Sequence, residues 1–170
     1  MDLDDRLRAD KDFEKARARA RMSRILSLLK AGGDELLAFE DVRRAVAPTG
    51  ECYVGARTVP VAQIIGSEGR SRDFNSGFCP RREFMRERWV KVDTAYYEEK
   101  ALPAVKLLEI GGVYFVRDGN HRVSVARAHG VAFIDAEVTR LTSRILLHSP
   151  EALQAIRNKV HGAVELAAAA

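Results

Sequence analysis

The sequence has 170 residues, of which 46% are hydrophobic and 31% charged, and its formal net charge is +4. This composition excludes a disordered or fibrous chain and is enough for one domain with a substantial core. No apolar run approaches the ~20 residues that cross a bilayer, and the charged N-terminal region predicts no secretory signal. The two cysteines lack the spacing of a disulfide framework or a zinc site. We therefore expect a cytoplasmic protein without a metal centre or a membrane partner.

The N-terminal part of the chain has the pattern of helices. Residues 2–30 contain no glycine or proline and carry apolar side chains at helical spacing, which predicts one long helix. Gly32 and Gly33 are expected to end this helix. Asp34 is suited to cap a second helix, which we predict over residues 35–47.

The character of the sequence changes after the second predicted helix. Residues 48–80 are rich in glycine and proline and contain one strand-like stretch, residues 57–65. We therefore divide the chain into an N-terminal helical arm, residues 1–47, and a main domain, residues 48–170.

The main domain has a mixed pattern of strands and helices. Gly111 and Gly112 stand between two apolar stretches and predict a two-residue hairpin turn. The expected elements are a helix over residues 82–100, strands over 104–110, 113–117 and 132–139, a short helix over 120–129, and a last helix beginning at Pro150. Strands and helices arranged in this way predict an α+β fold.

A run of five polar residues fills the junction between the second hairpin strand and the short helix. These residues are Asp118, Gly119, Asn120, His121 and Arg122. Glycine at such a junction permits a positive φ and a close approach of a ligand to the backbone. The first amides of a helix have no intrahelical acceptor and the dipole is positive there, so the basic His121 and Arg122 are locally unfavourable. A bound phosphate would reverse this penalty, with Arg122 as a two-pronged donor to its oxygens.

The same residues also have plainer interpretations, which the sequence leaves open. Asp118 could cap the helix, Arg122 could pair with Asp118, and His121 could be an ordinary surface histidine. If the site is catalytic, His121 would donate to a phosphate or transfer a proton, and Asp118 would hold Mg²⁺ or orient a water molecule. Glu68 and Asp73, in the loop upstream, are further acids that the sequence does not rank.

Residues 59–139 resemble the ParB/sulfiredoxin-fold family. In ParB N-terminal domains a strand ends in a turn of the GERR type, followed by a helix with small residues, a glycine and a strand. The same order surrounds residues 119–122 here. The turn is also similar to the DGQHR box of proteins tied to DNA modification, with asparagine in place of glutamine. Upstream, residues 59–74 loosely resemble the family's arginine-containing segment, with Arg70 or Arg72 at the basic position.

The resemblance implies a small mixed sheet with helices, and nucleotide phosphate binding through residues 119–122 with Arg70 or Arg72 beside them. Related members bind CTP or ATP and hydrolyse it, or transfer its phosphoryl group. Sulfiredoxin carries a reactive cysteine where Asn120 stands, so thiol chemistry is not expected here. The sequence shows neither the second nucleotide motif of partition proteins nor a DNA-reading domain, so we do not expect a clamp-forming partition protein.

These observations lead to one main hypothesis. The chain is a ParB-like protein that binds the phosphates of CTP or ATP, with or without Mg²⁺, and acts as a weak NTPase or small-molecule kinase in a DNA-associated process. The alternative is a non-catalytic DNA-binding or regulatory adaptor of the same fold, acting for example in transcription. A nuclease is a third interpretation, for which the sequence offers no paired carboxylates of a two-metal site.

The first predicted helix carries two further features. Arg17, Arg21 and Arg24 form a stripe that could follow a DNA backbone, although acidic residues share the helix and favour an ordinary solvated face. Apolar residues near its end, Ile25 and Leu26 among them, could pack on the main domain or on a second subunit of a homodimer.

Overall fold

The computed structural model describes residues 3–29 and 33–168, so the helix stop predicted at Gly32 lies outside the described residues. The α-helices within these ranges are α1 (Leu3–Leu29), α2 (Phe39–Val46), α3 (Arg86–Tyr97), α4 (Asn120–Ala128) and α5 (Pro150–Ala168). The strands are β1 (Leu37–Ala38), β2 (Gly50–Pro60), β3 (Ile64–Ser67), β4 (Val105–Ile110), β5 (Val113–Asp118) and β6 (Phe133–Thr142). Short 3₁₀ turns at Val61–Gln63 and Glu83–Met85 precede β3 and α3. None of the helices described has the length and apolar character needed to cross a bilayer.

The strands form one mixed sheet in the order β1-β3-β5-β4-β6-β2. The pairs β1–β3, β3–β5 and β4–β6 are parallel, whereas β4–β5 and β2–β6 are antiparallel. In β2 the register against β6 shifts between Tyr53 and Gly55, which marks a β-bulge. The mixed sheet, its helices and the N-terminal α1 confirm the predicted α+β fold class.

The sheet buries a hydrophobic cluster on each face. Helices α1, α3 and α4 contribute to one cluster together with Leu107 and Val116. Helices α2 and α5 contribute to the other together with Leu108 and Phe115. Neighbouring residues of one strand therefore serve opposite faces, as the alternation of side chains along a strand requires.

Helix α1 is anchored through the centre of the first cluster. Phe13 of α1 is fully buried, and its ring centroid lies 5.6 Å from that of Trp89 in α3. The indole Nε1 of Trp89 donates to the Ser124 hydroxyl in α4 (2.8 Å), which in turn donates to the Phe78 carbonyl (2.6 Å). The domain division at residue 47 stays a prediction, and residues from both sides of it share this core.

A polar network connects the same three helices and was not foreseen from the sequence. The Tyr97 hydroxyl donates to the Asp12 carboxylate (2.5 Å), and His129 Nε2 lies 2.6 Å from Asp93 Oδ1. Burial raises the pKa of Asp93, and the hydrogen bond with His129 offsets part of that rise. Ligand-type atoms of Asp12, Asp93 and His129 lie within 4.8 Å of one another. The Tyr97–Asp12 bond ties α3 to α1, and the His129–Asp93 bond ties α3 to the end of α4.

Local rules predicted the middle of the main domain well. The turn between β4 and β5 has a positive φ at both Gly111 (61°) and Gly112 (86°), as a two-residue hairpin requires. Helix α4 fills nearly all of the predicted short helix and buries Val123. The Ser149 hydroxyl caps α5 by accepting a hydrogen bond from the Ala152 N–H (3.1 Å).

The second helix was predicted wrongly at its start. It begins at Phe39, later than predicted, because Leu37–Ala38 pair with β3 as the edge strand β1. Asp34 does not cap it, and neither does any other side chain among the described residues. Asp34 is instead buried, and its carboxylate accepts hydrogen bonds from the Ser23 hydroxyl and the Arg81 guanidinium.

The single strand predicted over residues 57–65 is in fact parts of two strands. β2 begins already at Gly50, and a 3₁₀ turn separates it from β3. The side chains of β2 are mostly exposed because it forms the outer edge of the sheet. Its first half therefore lacks the apolar alternation by which strands are recognised.

Candidate functional site

The predicted polar turn joins β5 to α4. Gly119 is the N-cap of α4, with φ 102° and ψ 25°, and within the described part of the chain no side chain caps the helix. A Cβ atom at this position would lie 2.7 Å from Val105 Cγ1 and 3.0 Å from Arg122 Nε. The positive φ and the crowding both require glycine here, which is the property that the sequence indicated.

The first turn of α4 presents unpaired amides. The Val123 N–H donates to the Gly119 carbonyl (3.0 Å) as the first bond of the helix. The amides of residues 120–122 therefore have no acceptor within the helix. The first turn also contains no acidic residue. The positive end of the helix dipole is thus not neutralised by side chains of the helix itself.

The turn lines a cleft of about 410 Å³. Four arginines and two carboxylates lie on its wall, so their charges sum to a positive excess. The structure brings together six of the predicted site residues in this cleft: Arg70, Asp118, Gly119, Asn120, His121 and Arg122. Glu68, Gly69, Arg88, Val92 and Arg117 complete the lining.

Two polar side chains in the cleft are buried without a partner. His121 is 7% exposed and Asn120 is 6% exposed. His121 Nδ1 and Asn120 Oδ1 form no hydrogen bond with any of the residues that the structure describes. Burial, and then the charges of Arg88 and Arg70, lower the pKa of His121 to about 4. The imidazole is therefore neutral at pH 7, and it is not the surface histidine of the plainer interpretation.

The Arg122 guanidinium is held by the protein. Nη1 donates to the carbonyls of Pro103 and Ala104 (2.8 Å to the latter), and Nη2 donates to Asp118 Oδ2 (2.7 Å). The pairing of Arg122 with Asp118 is thus confirmed, whereas capping of the helix by Asp118 is wrong. The two-pronged contact with phosphate predicted for Arg122 would require Asp118 to release it.

Two arginines of the cleft were not assigned to the site from the sequence. Arg88, on α3, is exposed and forms no hydrogen bond or ion pair with the described residues. Arg117, the residue before Asp118, is paired with Glu68 (3.0 Å). Arg88 and Val92 are four residues apart and so share one face of α3. The four-residue spacing of Arg88 and Val92 can be read from the sequence. The sequence does not show which face of α3 meets the turn, because that depends on how α3 packs on the sheet.

Of the two arginines predicted beside the turn, Arg70 and Arg72, the second does not line the cleft. It is exposed and lines a second pocket, separate from the cleft. Arg70 does line the cleft, where it is paired with Asp73 (3.3 Å). The chain turns between these two arginines, so they face different sites.

Replacing Gly119 by alanine tests the steric reason for glycine at the turn. Gly55 is the matched control, because its φ of 95° is similar but nothing lies within 4 Å of an added Cβ. We expect Gly55→Ala to lower the free energy of unfolding by about 1–2 kcal/mol through the positive φ alone. Gly119→Ala should cost clearly more in urea unfolding, and equal losses would contradict a steric role for this position.

Comparison with known proteins gives one slight likeness. No protein family and no curated protein matches the sequence. Among solved structures, the chain is similar to sulfiredoxin from Arabidopsis thaliana, with 17% sequence identity and a TM-score of 0.34 over 51% of this chain and 86% of that one. A likeness of this degree carries no information about activity.

Proposed function

We propose that this chain binds the phosphate groups of a nucleotide, CTP or ATP, in the cleft at the start of α4. The observation that carries the proposal is the pair of buried polar atoms without a partner, His121 Nδ1 and Asn120 Oδ1, beside an uncapped helix N-terminus. A buried polar atom left unpaired costs about 1–3 kcal/mol, and a ligand would recover this cost once the two side chains turn toward the cleft. The unpaired amides of α4 add donors suited to an anion.

The two unpartnered atoms favour a nucleotide over inorganic phosphate. A neutral imidazole with its proton on Nδ1 donates to a phosphate oxygen. Asn120 Oδ1 is an acceptor, so it suits a ribose hydroxyl or the amino group of a base rather than a phosphate. The cleft volume of about 410 Å³ also lies in the range of roughly 300–1,000 Å³ typical of small-molecule sites.

The arginines supply positive charge beside the phosphates of a bound nucleotide. Arg88 has no described partner, so it can contact phosphate without breaking an existing bond. Arg70 is half-buried and held by Asp73, which places its charge at the cleft wall. We assign the main cationic contact to Arg88, and a positioning role to Arg122, whose bonds to Pro103 and Ala104 fix the turn.

Mg²⁺ fits this site as a companion of the nucleotide. Asp118 Oδ1 accepts no hydrogen bond from the described residues, while Oδ2 is held by Arg122. Mg²⁺ in nucleotide sites needs only one or two protein carboxylates besides phosphate oxygens and water. The ion would neutralise phosphate charge. Asp118 would supply its carboxylate, and Arg122 would hold that carboxylate in place.

The state of His121 favours binding over rapid turnover. A group with a pKa of about 4 is a weak general base at neutral pH. We therefore propose that nucleotide binding itself, as a signal in a DNA-associated process, is the main activity, and that any hydrolysis is slow.

Thermal unfolding with CTP, ATP, GTP and ADP, each with and without Mg²⁺, tests the proposal. A nucleotide present at a hundred times its Kd should raise Tm by roughly 5–10 °C, because it binds only the folded state. Arg88→Ala should weaken binding by roughly tenfold or more, since it removes a charged contact. Arg144→Ala is the matched control: Arg144 is also exposed, and it follows β6 near the hairpin end of the sheet. Absence of any shift, or equal losses in the two variants, would rule out this site.

A further inference from the structure

A second pocket, of about 180 Å³, lies between α1 and the segment that leads into α3. It is lined by Ala20 and six arginines: Arg17, Arg21, Arg24, Arg72, Arg81 and Arg82. We call these seven residues the arginine pocket. Three of the arginines come from α1 and three from residues 72–82, so the fold joins two basic stretches that are far apart in the sequence.

Most of the charge in the arginine pocket is not compensated. Arg17 is paired with Glu83, and Arg81 is bonded to the carbonyl and the carboxylate of Asp34. The other four arginines are exposed, and their guanidinium groups form no hydrogen bond or ion pair with the residues that the structure describes. Four like charges around one concavity repel each other, and an anion with several charges would relieve that repulsion.

The spacing along α1 indicates the shape of that anion. Arg17, Arg21 and Arg24 follow one another at four and three residues, which is one stripe of the helix. At the helical rise they are spread over about 10 Å. Phosphates recur at short intervals along a DNA strand, so a stripe of this length can contact more than one of them. A single phosphate would meet only part of it.

We propose that the arginine pocket binds the sugar–phosphate backbone of a nucleic acid duplex. Arg21 and Arg24 contact the strand from the helix, and Arg72 and Arg82 contact it from the opposite wall. Guanidinium groups meet phosphate oxygens with two parallel hydrogen bonds, which suits a row of phosphodiesters. Such contacts position the protein on the duplex and carry no base sequence. This site is independent of the nucleotide cleft, whose lining shares no residue with it.

Fluorescence anisotropy with a labelled duplex of about 20 base pairs and mixed sequence tests this inference, titrated between about 50 and about 200 mM salt. We expect binding to weaken steeply with salt. The double variant R21A/R24A should bind at least tenfold more weakly, and the slope of log K against log salt should be shallower by about 2. Both residues are exposed and unpaired, so the fold should be unaffected, which the unfolding temperature checks.

The control variant is R43A/R44A. Arg43 and Arg44 are exposed on α2, which packs on the other face of the sheet, and their loss removes the same charge. An equal loss of affinity in both variants would show that only net charge matters and would overturn the proposal. So would absence of duplex binding at low salt, or binding to phosphatidylserine vesicles but not to DNA. The nucleotide-induced rise in Tm should persist in R21A/R24A, so failure here leaves the proposed nucleotide site untouched.

Discussion

Trp89→Ala should lower the free energy of unfolding by about 3–5 kcal/mol, as expected for removal of a fully buried aromatic side chain. The substitution leaves a cavity between α1 and α3 beside Phe13, and it removes the donor that the Ser124 hydroxyl accepts from. Urea unfolding measures the loss. In a chain of this size it corresponds to a fall in Tm of roughly 6–20 °C.

Two variants separate the parts of this effect. Phe84→Ala is the aromatic control, because Phe84 is 73% exposed and its loss should change stability by less than about 0.5 kcal/mol. Trp89→Phe keeps most of the ring volume while losing the N–H, and should fall between the two. If Trp89→Ala unfolded no more easily than Phe84→Ala, α1 would not be anchored through this contact.

The stability of the protein should fall as the pH is lowered from about 6.5 to about 4, in part because of His121. Burial lowers the pKa of this imidazole from 6.5 to about 4, so over this range the unfolded chain binds a proton that the folded chain does not. Stability from this residue is complete above pH 6.5, and roughly 3 kcal/mol of it is lost by pH 4. Arg88 and Arg70 contribute to this loss, because they repel the imidazolium.

Comparison of variants isolates the histidine from other groups that titrate in acid. His121→Gln should unfold in urea with a weaker pH dependence than the native chain, and His148→Gln, at an exposed histidine, is the control variant. A bound nucleotide brings negative charge to the imidazole and raises its pKa, so saturating nucleotide should also weaken the dependence. Identical pH profiles for the native chain and His121→Gln would show that His121 titrates normally.

The parts of the fold that local rules govern were predicted from the sequence. The glycine pair at residues 111–112 and the periodicity of α4 each act within a few residues, and both were confirmed. β1 exists only because it pairs with β3, far along the chain, and β2 exposes most of its side chains at the sheet edge. Strand pairing between distant parts of the chain cannot be recognised from the pattern of apolar and polar residues within one short stretch.

The residues of the candidate site likewise fall into those that neighbouring sequence predicts and those that only the packing of distant elements brings together. The polar turn at residues 118–122 was predicted correctly as the junction of a strand and a helix. The strand end, the glycine and the start of the helix follow one another directly in the sequence. Arg88 was not among the predicted site residues, because α3 reaches the cleft only through packing. Arg72 was misplaced because two arginines in one loop cannot be ranked without knowing where the chain turns.

The outer strand β2 has a consequence for how copies of this chain meet. A long free strand edge invites intermolecular hydrogen bonding and fibre growth. Here the strand carries a bulge between Tyr53 and Gly55, the charged residues Glu51 and Arg57, and a proline at its end. Each of these hinders the continuous addition of a foreign strand. At high concentration we therefore expect the protein to resist amyloid-like assembly through this edge.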